Sequence, residues 1–318
     1  MATSIASPAR GARSSAADQA FLWLLRGLAA LVPVLIVGIG FELYRASALS
    51  RHAFGWHFLA ASTWDPITEQ YGAWPFIFGT LFTTALALVI AAPLGVAVAI
   101  FLAELAPRWL RGPLSNIVDL LAAVPSIVFG LWGFLVMVPF LQETVEPWLG
   151  DHFGKLPLFQ GAPYGVGFLA AGLVLAMMVI PFVIGVSREV IGAVPVAQRE
   201  AAYALAATRW DAIWDVVLPS ARSGIWGGIL LAMGRALGET MAVTMVIGNR
   251  PAVSTSLFAP GYTLASVIAN EFSEATTPTY IAALLEIGLV LFGITLLVNV
   301  IARVFIWRMT RQVERVAA

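Results

Sequence analysis

The stretch "GGILLAMGRALGETMAVTMVIG", Gly227 to Gly248, is long enough and apolar enough to cross a bilayer, yet it carries Arg235 and Glu239 near its centre. A full charge at mid-bilayer costs several kcal/mol, so ionisable residues there usually face one another or a water-filled cavity. On a continuous helix these two residues are i and i+4, share a face and are expected to pair. Two readings follow. The pair holds two helices in register, or the face lines a path for an oxyanion, because guanidinium offers planar donors matched to phosphate oxygens and stays charged in any surroundings. In the second reading Glu239 accepts the O–H of hydrogen phosphate. Sulfate has no such donor, so the two side chains together favour phosphate over sulfate.

The rest of the chain agrees with a membrane setting. Of 318 residues, 60% are hydrophobic and 11% charged, against roughly a quarter charged in a soluble domain. Six apolar runs approach the ~20 residues a spanning helix needs, at about 21–41, 76–102, 116–140, 164–186, 223–248 and 280–306. The expected fold is an all-α polytopic membrane protein with six transmembrane helices. Arg10 and Arg13 ahead of the first run mimic a signal peptide, but its apolar stretch exceeds a typical signal core. It therefore reads as a retained helix.

Arginine placement sets the orientation through the positive-inside bias. With the N-terminus inside, thirteen basic residues fall on the cytoplasmic side and four outside, namely Arg45, Arg51, Lys155 and Arg250. Both termini are then cytoplasmic. Residues 1–20 read as a disordered cytoplasmic tail, 21–75 as the first helix and its outer loop, 76–306 as the core transmembrane domain with an inner loop at 187–222, and 307–318 as a second cytoplasmic tail. Within an outer loop, "YTLASVIANEF" has helical periodicity, as an interfacial helix or as a loop helix packed on the bundle. Glu286 is a second intramembrane acid, and lining an outer vestibule or bonding a neighbouring helix are both open to it. Gly224 with Gly228, and Gly234 with Gly238, have the small-x-x-x-small spacing of close helix packing. Pro93, Pro125 and Pro181 lie in spans and are expected to kink them.

Several chemistries are excluded. The single lysine, Lys155, is followed by Leu156, so a phosphate-cradling G-x-x-x-x-G-K-[ST] loop is absent. The three histidines sit in outer loops without H-E-x-x-H spacing, and the chain has no cysteine and no G-x-S-x-G elbow. No metal site, catalytic residue or bound cofactor is expected. Basic and acidic residues balance at 18 each, which leaves no net field to gather nucleic acid.

The inner loop reads "SREVIGAVPVAQREAAYALAATRWDAIWDVVLPSARSG", Ser187 to Gly224. Gln198 to Ala206 is rich in helix formers, and Thr208 with Asp211 three residues on forms a capping box opening a second piece. There Trp210, Ile213, Trp214 and Val217 fall on one apolar face. Two short helices at an angle, stopped by Pro219, make a plug for a soluble partner. This loop resembles the E-A-A-x3-G-x9-I-x-L-P signature of bacterial ABC importer permeases: Glu200, Ala201, Ala202, Leu218 and Pro219 match, Val216 replaces Ile, and Ala206 stands at the usual Gly. The resemblance implies the type I importer permease fold and a loop that docks into a nucleotide-binding subunit. Ala206 puts the sharpness of the turn in question.

"WDPITEQYGAWPFIFGTL", "AAVPSIVFGLWG" and "GRALGETMAVTMVIGN" further resemble the phosphate-specific importer permeases of the PstC type, from about residue 60 onward. That resemblance implies phosphate passage past Arg235 and Glu239. It also implies a related second permease, a cytoplasmic ATPase dimer that holds ATP and Mg, an extracytoplasmic phosphate-binding protein, and residence among lipids of the bacterial inner membrane. Sulfate or molybdate as cargo, and an ion-coupled secondary transporter using Glu239 and Glu286, are the alternatives.

Overall fold

The computed structural model describes residues 16–317, with side chains over residues 18–308. Six helices are long and apolar enough to cross a membrane: Asp18–Ala46, Trp74–Leu105, Ser126–Phe153, Phe168–Gly192, Arg209–Leu237 and Pro278–Arg308, here the first to sixth spans. Between them lie shorter pieces, including helices Ala48–Phe54, Arg108–Ala123, Val196–Ala204, Met241–Val246 and Leu264–Glu271, and a two-residue antiparallel ladder pairing Trp64–Asp65 with Gln70–Tyr71.

The fourth span is the hub. It packs along the second span and against the fifth, and Val174, Leu175, Ala176 and Val179 in its middle are all buried. Lipid tails are as apolar as these side chains, so close packing of small residues holds the helices together more than transfer out of water does. Gly224 and Gly228 of the fifth span act in this way. A Cβ at Gly228 would stand 2.8 Å from Val186 Cγ1, and one at Gly224 would stand 2.4 Å from Val190 Cγ1. Gly234 and Gly238 have no such tight neighbour within the chain. At the end of the bundle remote from the inner loop, Phe58, Tyr71, Phe76, Tyr262 and Leu284 form a separate aromatic-rich core. Helix Leu264–Glu271 is packed into this core through Leu264 and Val267, behind a Thr263–Ser266 capping box. It is a loop helix on the bundle, not an interfacial one.

Several expected boundaries move. Helix begins at Ala16, so residues 16–20 belong to the first span's helix and not to a disordered tail; residues 1–15 lie outside the described residues. The last helix continues from Pro278 to Ala317, through the expected 307–318 tail, with residue 318 outside the description. The third span is Ser126–Phe153 rather than 116–140. Pro125 disfavours helical angles at the residue before it, and Val124 is extended (φ −64°, ψ 129°). Pro125 therefore separates two helices instead of kinking one, whereas Pro93 and Pro181 do lie inside their helices.

The fifth span moves most. It starts at Arg209, runs through Pro219 and ends at Leu237, so Pro219 does not stop the second inner piece. Proline in a helix clashes with the carbonyl four residues back. Here the preceding turn, Ala212–Val217, is a π-helix, whose wider ladder makes room for the ring.

Candidate substrate pathway and coupling loop

The quoted apolar run is not one helix. The fifth span ends at Gly238 (φ −94°, ψ 2°), Glu239 N–H donates to Ala236 O at 3.2 Å, and helix Met241–Val246 begins after Thr240. Glycine is among the weakest helix formers, and the freed end has local partners. Glu239 Oε1 accepts from the Ala242 N–H at 3.3 Å, Thr240 Oγ1 donates to Gly238 O at 3.1 Å, and Thr244 Oγ1 donates to Thr240 O at 2.7 Å. A carboxylate just ahead of a helix's first turn also lies near the positive end of its dipole.

The expected i, i+4 pair is therefore not formed. Arg235 sits in the last turn before the break and Glu239 beyond it, and no ion pair joins them. Arg235 is exposed and has no hydrogen bond or ion pair with any described residue. Gly238 is exposed and Glu239 half-buried. Behind this face Ala236, Leu237, Ala242 and Val243 are buried, against the third span, where a Cβ at Gly130 would stand 2.8 Å from Ala242 Cα. The broken helix thus turns a guanidinium, an open stretch of backbone and a capped carboxylate toward a surface that no described residue covers.

At the other end of the fifth span, helix Val196–Ala204 stops in a tight reversal. Ala207 N–H donates to Ala202 O at 3.1 Å and Ala206 N–H to Tyr203 O at 3.0 Å, the six-to-one and five-to-two bonds of a Schellman motif. Its left-handed position is Ala206, with φ 62°. Alanine does take the angle, and the turn is sharp. The Thr208–Asp211 capping box forms as expected, with Thr208 N–H donating to Asp211 Oδ2 at 2.9 Å and Asp211 N–H to Thr208 Oγ1 at 3.2 Å.

The expected single apolar face divides in two. Ile213 and Val217 are buried, while Trp210 and Trp214 stay exposed, edge to face at 6.0 Å. Of the signature residues, Ala202 is buried, Val216 and Leu218 are half-buried, and Glu200, Ala201, Ala206 and Pro219 are exposed. The free tip also carries Leu205, 86% exposed.

What fixes this tip was not visible in the sequence. Arg199 donates to Glu104 Oε1 through Nε at 3.1 Å and Nη2 at 2.7 Å, and also to the backbone oxygens of Ile191 and Val194. The guanidinium thereby ties the first turns of the short helix to the ends of the second and fourth spans, across 95 residues of sequence. Ser220 Oγ donates to Gln198 Oε1 at 3.1 Å and closes the other side. Partners so distant give no local signal, and only the contiguity of Arg199 with Glu200 in the loop motif hinted at a role.

Residues 95–311 match the family described as "Binding-protein-dependent transport system inner membrane component". The phosphate transport system permease protein PstC of Mesorhizobium japonicum is 46% identical over 300 residues, covering 93% of this chain and 92% of that protein. The namesake from Pasteurella multocida is 48% identical over 294 residues, covering 91% and 92%. This chain belongs to the PstC family of phosphate transport system permeases. Among solved structures, the permease resembles a chain of a bacterial alginate ABC transporter at TM-score 0.59 and 17% identity, covering 95% of this chain and 98% of that one. It also resembles a chain of the MetNI methionine ABC transporter at TM-score 0.55 and 18% identity, covering 78% and 99%. These likenesses show that the permease has the ABC importer permease fold.

Proposed function

We propose that this permease forms half of the translocation pathway of an ATP-driven inorganic phosphate importer, with Arg235 as its anion contact. The observation that carries the reading is Arg235 itself, a guanidinium within an apolar run that no described residue neutralises. Such a charge calls for an anion or a partner's carboxylate, and relatives of 46 to 48% identity are named phosphate permeases. A related second permease would close the other side of the path. Glu239 would then accept the proton of hydrogen phosphate, with Oε1 also held on the Ala242 N–H.

Energy would enter from outside the chain. The tip around Glu200, Ala201 and Ala206, with exposed Leu205, fits the cleft of a cytoplasmic ATPase dimer that holds ATP and Mg. Closure of that dimer would pull the tip, and the Arg199–Glu104 link would pass the movement to the second and fourth spans. The termini are then cytoplasmic, in keeping with the arginine bias, and the opposite face meets an extracytoplasmic phosphate-binding protein. Purified complex in proteoliposomes tests this. Uptake of phosphate that needs internal ATP, ignores a protonophore and is not competed by sulfate or molybdate is the expected result. Uptake that collapses with the protonophore and ignores ATP would overturn it.

A further inference from the structure

At the bundle end remote from the coupling loop, a cavity of about 720 Å³ lies between helix Ala48–Phe54, the start of the second span and the sixth span. Its floor is apolar, with Leu289, Val290, Ile294 and Leu297 running down the sixth span, and Trp56 and Trp74 stand at its rim. Aromatic residues so placed mark the headgroup level of a bilayer. Two opposite charges line the same space, Arg51 and Glu286.

No ion pair within 4 Å joins them. Arg51 is fixed over the Tyr44 ring, its Cζ 3.6 Å from the ring centroid, with Nε donating to Ser47 Oγ at 3.2 Å and Nη2 to Tyr44 O at 2.6 Å. Its Nη1 is left without a partner. Glu286 is 5% exposed with Oε2 fully enclosed, and its polar neighbours are the equally enclosed Ser50 Oγ and the Arg51 guanidinium. A buried carboxylate is costly, and among the described residues this one has only a hydroxyl and an arginine nearby, with no close ion pair.

We propose that this cavity binds one phospholipid whose headgroup carries both a phosphate and a primary ammonium, as phosphatidylethanolamine does. The phosphate meets Arg51 Nη1, the ammonium donates to Glu286, and an acyl chain follows Leu289 to Leu297 along the sixth span. Charge complementarity selects the headgroup. An anionic phosphatidylglycerol satisfies Arg51 and offers Glu286 hydroxyl donors but no counter-charge, and the trimethylated ammonium of phosphatidylcholine has no N–H to donate.

The test is native mass spectrometry of the purified complex, delipidated and then offered equimolar phosphatidylethanolamine, phosphatidylglycerol and phosphatidylcholine. The parent complex is expected to retain phosphatidylethanolamine about tenfold over each of the others, the scale of one charge-assisted hydrogen bond. Glu286→Gln, close to isosteric, should bring phosphatidylethanolamine and phosphatidylglycerol to within about twofold. Arg51→Gln should lower retention of both. Equal retention of all three by the parent complex, retention of none, or an undiminished preference in Glu286→Gln would overturn the proposal, and the parent measurement decides even if a variant fails to assemble.

Discussion

Two of the permease's arginine–glutamate sets behave in opposite ways. Arg199 and Glu104 are 95 residues apart and meet at 2.7 Å, with side chains 16% and 13% exposed. Arg235 and Glu239 are four residues apart and do not meet, because the helix ends between them. Closeness in sequence therefore says little about pairing. A charge with a structural task is satisfied inside the chain, and a charge left open within the apolar part of the bundle is free for something that comes from outside it. The first set ties three elements together. The second offers a single guanidinium on an uncovered face.

Removing the open charge should have the largest effect. Arg235→Gln is expected to lower ATP-dependent phosphate uptake by roughly 100-fold, the equivalent of losing about 3 kcal/mol from two charge-assisted hydrogen bonds. The complex should still assemble, since no bond within the chain is broken. If uptake stayed within about threefold of the parent, the contrast between the two sets would lose its functional meaning.

Arg199→Ala should act differently. It strands the Glu104 carboxylate and frees two backbone oxygens, at a cost of about 2 kcal/mol, below the 3–5 typical of fully buried pairs because these side chains keep some solvent contact. Thermal stability is expected to fall, and ATP hydrolysis to continue with less phosphate moved per ATP. Adding Glu104→Gln should recover part of the stability, because a neutral amide tolerates the loss of its cation. No recovery would mean that the two residues are not coupled.

A smaller change is expected from Glu239→Gln, which alters one acceptor. Discrimination between phosphate and sulfate should drop about tenfold, the size of one charged hydrogen bond, as read from competition of the two anions for uptake. Unchanged discrimination would leave Glu239 with only its capping of Ala242.

Much of this was legible before the structure. Six apolar runs gave six spans, and the Thr208–Asp211 spacing gave its capping box. Breaks inside apolar runs were harder to see. Hydropathy averages over Val124–Pro125 and over Gly238, so 116–140 and 223–248 read as unbroken, although the local cause, a proline's effect on its predecessor and a glycine's weak helix propensity, stands in the sequence. The Arg199–Glu104 bond was out of reach, since nothing near either residue points to the other.

The smallest effect concerns the turn at Ala206. Ala206 holds φ 62°, where an L-residue pays roughly 1 kcal/mol relative to glycine. Ala206→Gly should raise the melting temperature by about 2 °C and leave uptake unchanged. A fall in stability would mean that the left-handed turn is not under strain.

The absence of cysteine from the chain permits the most direct test. Arg235→Cys and Arg199→Cys, each made singly in the assembled complex, are treated with a membrane-impermeant thiol reagent, and modification of this chain is read by mass. An open pathway charge predicts rapid labelling at position 235, in the last turn of the fifth span, and slow labelling at position 199. Protection at position 235 with rapid labelling at position 199 would contradict the account.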